Sequence, residues 1–387
     1  MQNAFIHIYD ENGKDLLRRK ENYADTVSLD ALLYCNFIKY DKLKELTLTQ
    51  FANSNSNELN IYIDMYSMIK PLYNRTILGD NTLFTSFILN LAAHMRSYYM
   101  TRHNVITNIY IVFTSNTSIL TQEISMVPEW NITDINKYIQ NDNRIRLINW
   151  NVQLLQLLVP CFPRLYFVNG TAEPAVMIMN LINKNTNKSI PNVVVTKDKF
   201  SWLIPTIDNN SCIFRPHKTK DSDESYCINH SNVFNEWRSS INRNIGAPEI
   251  ILPPEMLSLY IAYTNFKQRG LNSYYSPREA IRRIWKLVQD NKIRLGYNSP
   301  EAISSVLLNE CKKCSYQYDF EKFSNNLYYR YNMVDLNRLT TIYSTTPEAS
   351  NMSWCYSKID DNSIKEINDK YFIKNPIDII RLLKHPR

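Results

Sequence analysis

A rhythm of short apolar runs and helical segments constrains this chain more than any other feature. NIYIDMYSMIKPLYN opens with a short strand, Ile61 to Ile63, that ends in Asp64 and leads toward a helix. Between Asn81 and Arg102, Phe84, Phe87, Ile88, Leu91 and Met95 recur at three- and four-residue steps, the period of a helix with one buried face. VITNIYIVFTSN is a second strand, ending at Phe113 and Thr114, and CFPRLYFVNG a third. TAEPAVMIMNLINKN reads as a helix with Glu173 in its first turn and Pro174 at an early position that tolerates proline. PNVVVTKDKF is the fourth strand. Alternating strands and helices predict an α/β fold, a parallel sheet flanked by helices.

In such sheets ligands collect at the carboxyl ends of the strands. Asp64, Thr114 and Asp198 fall at three of these ends, and Glu173 begins the helix after another. Residues far apart in sequence are therefore expected along one rim. An acid at a strand end has a second reading, the N-cap of the following helix, where its oxygens accept backbone N–H bonds. Glu173 has one too, as a complement to the helix dipole.

Composition narrows the partners. The chain has 387 residues, 44 basic and 37 acidic, for a net charge of +7. That excess permits a nucleic-acid partner without requiring one. Between Lys267 and Arg294 it concentrates: Lys267, Arg269, Arg278, Arg282, Arg283, Lys286, Lys292 and Arg294 stand against Glu279 and Asp290, with Tyr274, Tyr275 and Trp285 interleaved. Such a face suits phosphate contacts and base stacking; its plain alternative is a solvated helix surface. A helix opening after Ser276-Pro277 would also present N–H groups to a phosphate. No apolar run approaches the ~18 residues of a membrane span, and the N-terminus lacks a secretory pattern. With seven cysteines, an odd number, the expectation is an intracellular protein, cytoplasmic or nuclear, and no membrane partner. Phosphate-binding G-x-x-x-x-G-K-S/T and nucleophile-elbow G-x-S-x-G motifs do not occur.

Two cysteine groups have ligand-like spacing. Cys212, His217, Cys227 and His230 form C-x4-H-x9-C-x2-H, four groups of the kind that hold zinc tetrahedrally, although ordinary thiols and surface histidines account for them equally. Cys311 and Cys314 form a second pair.

In order and spacing, these pieces resemble the flap endonuclease family of structure-specific 5′-nucleases, within the PIN-like group, from about Asn60 to Leu287. IYIDMYSMIKPLY matches a strand ending in Asp and leading into a helix. IYIVFTS stands where the family has Phe-Asp, TAEPAV where it has two acids one residue apart, and TKDKF where it has Asp-x-Asp. AYTNFKQRGLNSYYSPREAIRRI is similar to its helix-hairpin-helix segment, with Ser276-Pro277-Arg278 at the turn that contacts duplex backbone in the family. The resemblance implies a metal site of acids, and the match is incomplete. Asp64, Glu173 and Asp198 remain, while Thr114, Ala175, Phe200 and Asn265 replace the other acids. Two-metal hydrolysis needs several carboxylates to balance two cations ~3.5–4 Å apart, so three acids would hold at most one Mg²⁺.

The expected layout is an N-terminal extension (1–58), a nuclease-like α/β core (59–204), an irregular insertion (205–248), a helix-hairpin-helix-like region (249–298) and a helical or mixed C-terminal region (299–387). The expected function is a degenerate 5′-nuclease without cofactor, binding DNA or other nucleic acid beside protein partners in a replication or transcription assembly. Plentiful Tyr and Asn with scarce Gly, a composition typical of AT-rich genomes, and the divergence point to a viral one. Two alternatives stand: an active Mg²⁺-dependent 5′-nuclease drawing on Asp208, Asp221 or Asp223, and a purely structural protein–protein scaffold.

Overall fold

The computed structural model describes residues 57–69, 83–114, 143–215, 226–241, 252–266, 274–311, 326–345, 353–355 and 362. The expected N-terminal extension (1–58) lies almost wholly outside them, as do Cys314, His217, Asp221, Asp223, Lys267 and Arg269.

The four expected strands form in parallel: β1 (Glu58–Asp64), β2 (Ile106–Thr114), β3 (Leu165–Gly170) and β4 (Asn192–Val195). Three further strands extend the sheet. β5 (Ser211–Arg215) pairs with β4 in parallel, β6 (Tyr226–Ile228) closes that edge antiparallel, and β7 (Ser353–Cys355) lies antiparallel on β3. The order is β6-β5-β4-β1-β2-β3-β7, which puts β1 at the centre. The stretch read from sequence as an irregular insertion therefore carries two strands of the sheet. Their apolar cores, CIF and CI, are too short to show a period.

Near-continuous apolar strands need cover on both faces, and alternation divides their side chains between two cores. Leu59, Ile61, Ile63, Ile109, Ile111, Phe167, Val193 and Val195 point to one, with α1 (Met65–Ile69), α2 (Leu83–His103) and α3 (Asn143–Leu158). Tyr62, Val112, Val168, Val194 and Ile213 point to the other. It is covered by α4 (Pro174–Lys184), α5 (Ile204–Ile207), α6 (Val233–Ile241), α7 (Leu257–Tyr263), α8 (Pro277–Gln289), α9 (Pro300–Cys311), α10 (Leu327–Val334) and α11 (Leu336–Thr345). Among the described residues no helix is long and apolar enough to cross a membrane.

Polar side chains bind the central strands at their amino ends. Asn60 donates to Asn192 and accepts from Asn108, each at 3.1 Å. Asn192 donates to Asp208 at 3.0 Å, and Arg164 donates to Asn108 at 3.1 Å. Two residues along the same face, Tyr62, Tyr110 and Tyr166 stack in a row with 4.9 Å between successive rings. Cross-strand pairs of this kind fix register, because a one-residue slip turns each side chain to the opposite face.

Candidate functional site

Parallel pairing brings the strand ends together at one rim. Val195 lies beside Ile63, so Thr196, just past β4, meets Asp64 at the end of β1. Asp64 is 1% exposed, and both of its oxygens are engaged. Oδ1 accepts from the Ser67 N–H at 3.1 Å, an N-terminal cap on α1, and Oδ2 accepts from the Thr196 hydroxyl at 2.8 Å. Thr196 Oγ1 accepts in turn from the Asp198 N–H at 3.0 Å and lies 3.0 Å from the Ser67 hydroxyl, which accepts from the Lys197 N–H at 3.0 Å. Asp198 closes its own turn, Oδ1 accepting from the Phe200 N–H at 3.1 Å. Thr196 thus links the Asp64 carboxylate to the Asp198 backbone N–H.

Burial pushes the Asp64 carboxyl up to about 7; the Asp198 charge adds to the rise, and the Ser67 and Thr196 bonds oppose it. Burial thus favours the protonated form over what a carboxylate in water would show.

Glu173 follows β3 at the same rim. It occupies the N-cap position of α4, after β3, half-buried and without a side-chain cap bond. Two strands separate β3 from β4, and β1 is one of them. Thr196 links Asp64 to Asp198. Among the described residues no group of three or more His, Cys, Asp or Glu side chains is placed to hold a metal ion.

The positions aligned with missing acids belong to the core. Ala175 and Thr114 are fully buried and Phe200 is 1% exposed. Phe200 stacks on Phe266 at 6.3 Å, Phe266 meets Trp237 edge-on at 5.1 Å, and Trp237 meets Trp202 edge-on at 5.9 Å. These rings form one aromatic cluster within the second core. This donor set does not fit a metal pair. Asn265, half-buried, immediately precedes Phe266 in that cluster.

The basic segment takes shape on α8. Ala280, Ile281, Ile284 and Leu287 are buried, while Arg278, Arg282 and Lys286 follow one another at four-residue steps on the exposed side. Arg283, also exposed, donates to Glu279 at 2.8 Å and lies 4.2 Å from the centre of the Tyr275 ring. Ser276 caps the helix, its hydroxyl accepting from the Glu279 N–H at 3.3 Å. With one N–H taken and the Glu279 carboxylate in the first turn, the helix end is a poor anion seat. The exposed stripe of cations is the better one.

Of the proposed zinc ligands, Cys212 and Cys227 meet across β5 and β6. Their hydrogen bond, then burial, pushes the Cys212 thiol well above its ordinary range, against the deprotonation that a zinc thiolate requires. His230 is engaged at a different place, Nδ1 at 2.9 Å from the Pro205 carbonyl and Nε2 at 3.5 Å from Glu255. Asp208 serves the amide row at the amino end of the strands, away from Asp64.

Sequence reasoning missed the hydroxyls of Ser67 and Thr196 and the aromatic cluster. The first had a local signal, Asp-x-x-Ser opening a helix. The second had none, because Trp237 and Phe266 arrive from distant segments.

No protein-family model matches the chain, and no curated protein matches it. Among solved structures it is similar to the bacteriophage T5 flap endonuclease in a pseudo-enzyme–product complex with DNA and metal ions. That likeness has 11% identity and a TM-score of 0.44, over 84% of this chain and 98% of that one. It is similar also to the T5 5′-exonuclease with zinc bound, at 10% identity and a TM-score of 0.39, over 84% and 100%. A third is the catalytic core of Rad2, at 10% identity and a TM-score of 0.33, over 84% and 91%. The chain is thus structurally similar, at low sequence identity, to 5′-nuclease structures.

Proposed function

We propose that this protein binds nucleic acid through α8 and does not cut it, serving as a subunit of a replication or transcription assembly, viral in origin. The observation that carries the reading is the exposed row of Arg278, Arg282 and Lys286 on a helix whose opposite side is locked into the core. Cations at that spacing reach successive phosphates without reading bases, so binding is strong at low salt and indifferent to sequence. The second half of the reading is supported by the small number of rim acids, with the apolar Phe200 and Ala175 buried two residues after Asp198 and Glu173.

A second reading rests on one specific observation. Asp64 and Asp198 are close enough for one charge to raise the other, and a single Mg²⁺ between them would relieve that repulsion and support slow hydrolysis.

Binding to a labelled DNA duplex, followed by anisotropy across a salt series, tests the proposal. Three phosphate contacts predict a log–log slope near −3, at about −0.9 per contact. The double change Arg278→Glu, Arg282→Glu is expected to weaken binding to every sequence alike and to flatten the slope by about 2, with the circular dichroism unchanged. Salt-independent binding, or a slope that the double variant leaves alone, contradicts the proposal.

A further inference from the structure

We infer that Arg330 is a positioning residue for the α8 interface, holding from the C-terminal helices the turn from which α8 departs. The inference rests on the reading of α8 as the nucleic-acid face. α7 ends at Tyr263, and the last carbonyls of a helix need donors from outside it. Two come from one guanidinium. Arg330 Nε donates to the Ala262 carbonyl at 2.6 Å and Nη2 to the Thr264 carbonyl at 2.8 Å, across 68 and 66 residues of chain. The next two donors are the N–H groups of Tyr275, on the Tyr263 carbonyl, and Tyr274, on the Thr264 carbonyl, both at 2.9 Å.

The same guanidinium lies 5.2 Å from the centre of the Tyr274 ring. Tyr274 meets Tyr275 edge-on at 4.7 Å, and Tyr275 stacks on Tyr263 at 5.9 Å. Tyr275 then carries Arg283, and Ser276 caps α8. A continuous set of contacts therefore runs from Arg330 through the neck of the turn to the first residues of the basic helix.

Arg330 is 1% exposed. Burying a cation is costly, and a methionine fills much the same space without that cost. Only a planar group with several donors holds two carbonyls and faces a ring at once.

The test uses the full chain with Arg330→Met and Arg330→Lys. Duplex affinity is measured beside hydrogen exchange at the amides of residues 274–280, with the amides of β1, β2 and β4 as internal reference. Arg330→Met is expected to lose at least about tenfold in affinity and to exchange faster at 274–280 while the sheet is unchanged. Arg330→Lys, which meets one carbonyl, falls between. A folded Arg330→Met with wild-type affinity and wild-type exchange overturns the inference, as does lost affinity with unaltered exchange. Where Arg330→Met does not fold, wild-type behaviour of Arg330→Lys overturns it. A wild-type chain that fails to bind duplex defeats the proposed function instead, and the exchange measurement still decides the role of Arg330.

Discussion

Asp64 shows how one residue changes meaning when its surroundings change. A carboxylate at the end of a central strand can hold a cation. With both oxygens accepting, from Ser67 and Thr196, and with 1% exposure, it serves the turn into α1. Its carboxyl is raised from 3.8 to about 7, so between those values the folded chain keeps a proton that the unfolded chain releases. Stability from this group is full below pH ~4 and is lost as pH rises through 7, by at most roughly 4 kcal/mol at about 1.4 kcal/mol per unit. Asp64→Asn removes the ionisation and keeps an oxygen for the Ser67 N–H. Urea denaturation from pH 4 to pH 8.5 is expected to show wild-type stability sagging toward alkaline pH and the variant holding level. Parallel curves for the two proteins would mean that Asp64 ionises as freely as in water. At this scale the sequence was readable in part. It marked Asp64 and Asp198 as strand-end acids and offered the cap as one of two roles. It did not show that Thr196 would stand between them, because that contact spans 132 residues.

At the scale of elements, β1 organises the sheet, and Asn60 ties it to both neighbours. Asn60→Leu leaves the Asn192 Oδ1 and the Asn108 Nδ2 without this partner in a buried row. The expected loss is about 1–3 kcal/mol, the cost of one unmet acceptor on Asn192, since Asn108 Nδ2 keeps Glu58 at 3.3 Å. Chemical denaturation measures it; a change below about 0.5 kcal/mol would show that the row adds nothing beyond the backbone ladder. The elements that sequence revealed, β1 to β4, α2 and α4, carry long apolar periods and sit at the centre. Those it did not reveal include α3, which packs in the first core, and the strands toward the sheet's edges. β5, β6 and β7 are five, three and three residues long. Such pieces become strands only because an existing edge supplies partners. α8 was legible for the same reason as α2: Ala280, Ile281, Ile284 and Leu287 recur on one side.

For the molecule as a whole, one sheet presents two different surfaces. At its carboxyl rim one acid, Asp64, is buried and hydrogen-bonded, and Phe200, Phe266, Trp237 and Trp202 join in an aromatic cluster of the second core. Beside it, α8 turns a row of cations outward, set in place by a turn that Arg330 braces. Sequence order could place acids on the rim, but not the aromatic rings, which come together only when the second core closes. The account therefore separates holding nucleic acid from cutting it. The most direct measurement incubates a labelled flap DNA with excess protein and Mg²⁺ or Mn²⁺, beside Asp64→Ala. The account predicts that the DNA is bound and recovered intact with both proteins. A metal-dependent cut by the wild-type chain that disappears in Asp64→Ala would contradict it.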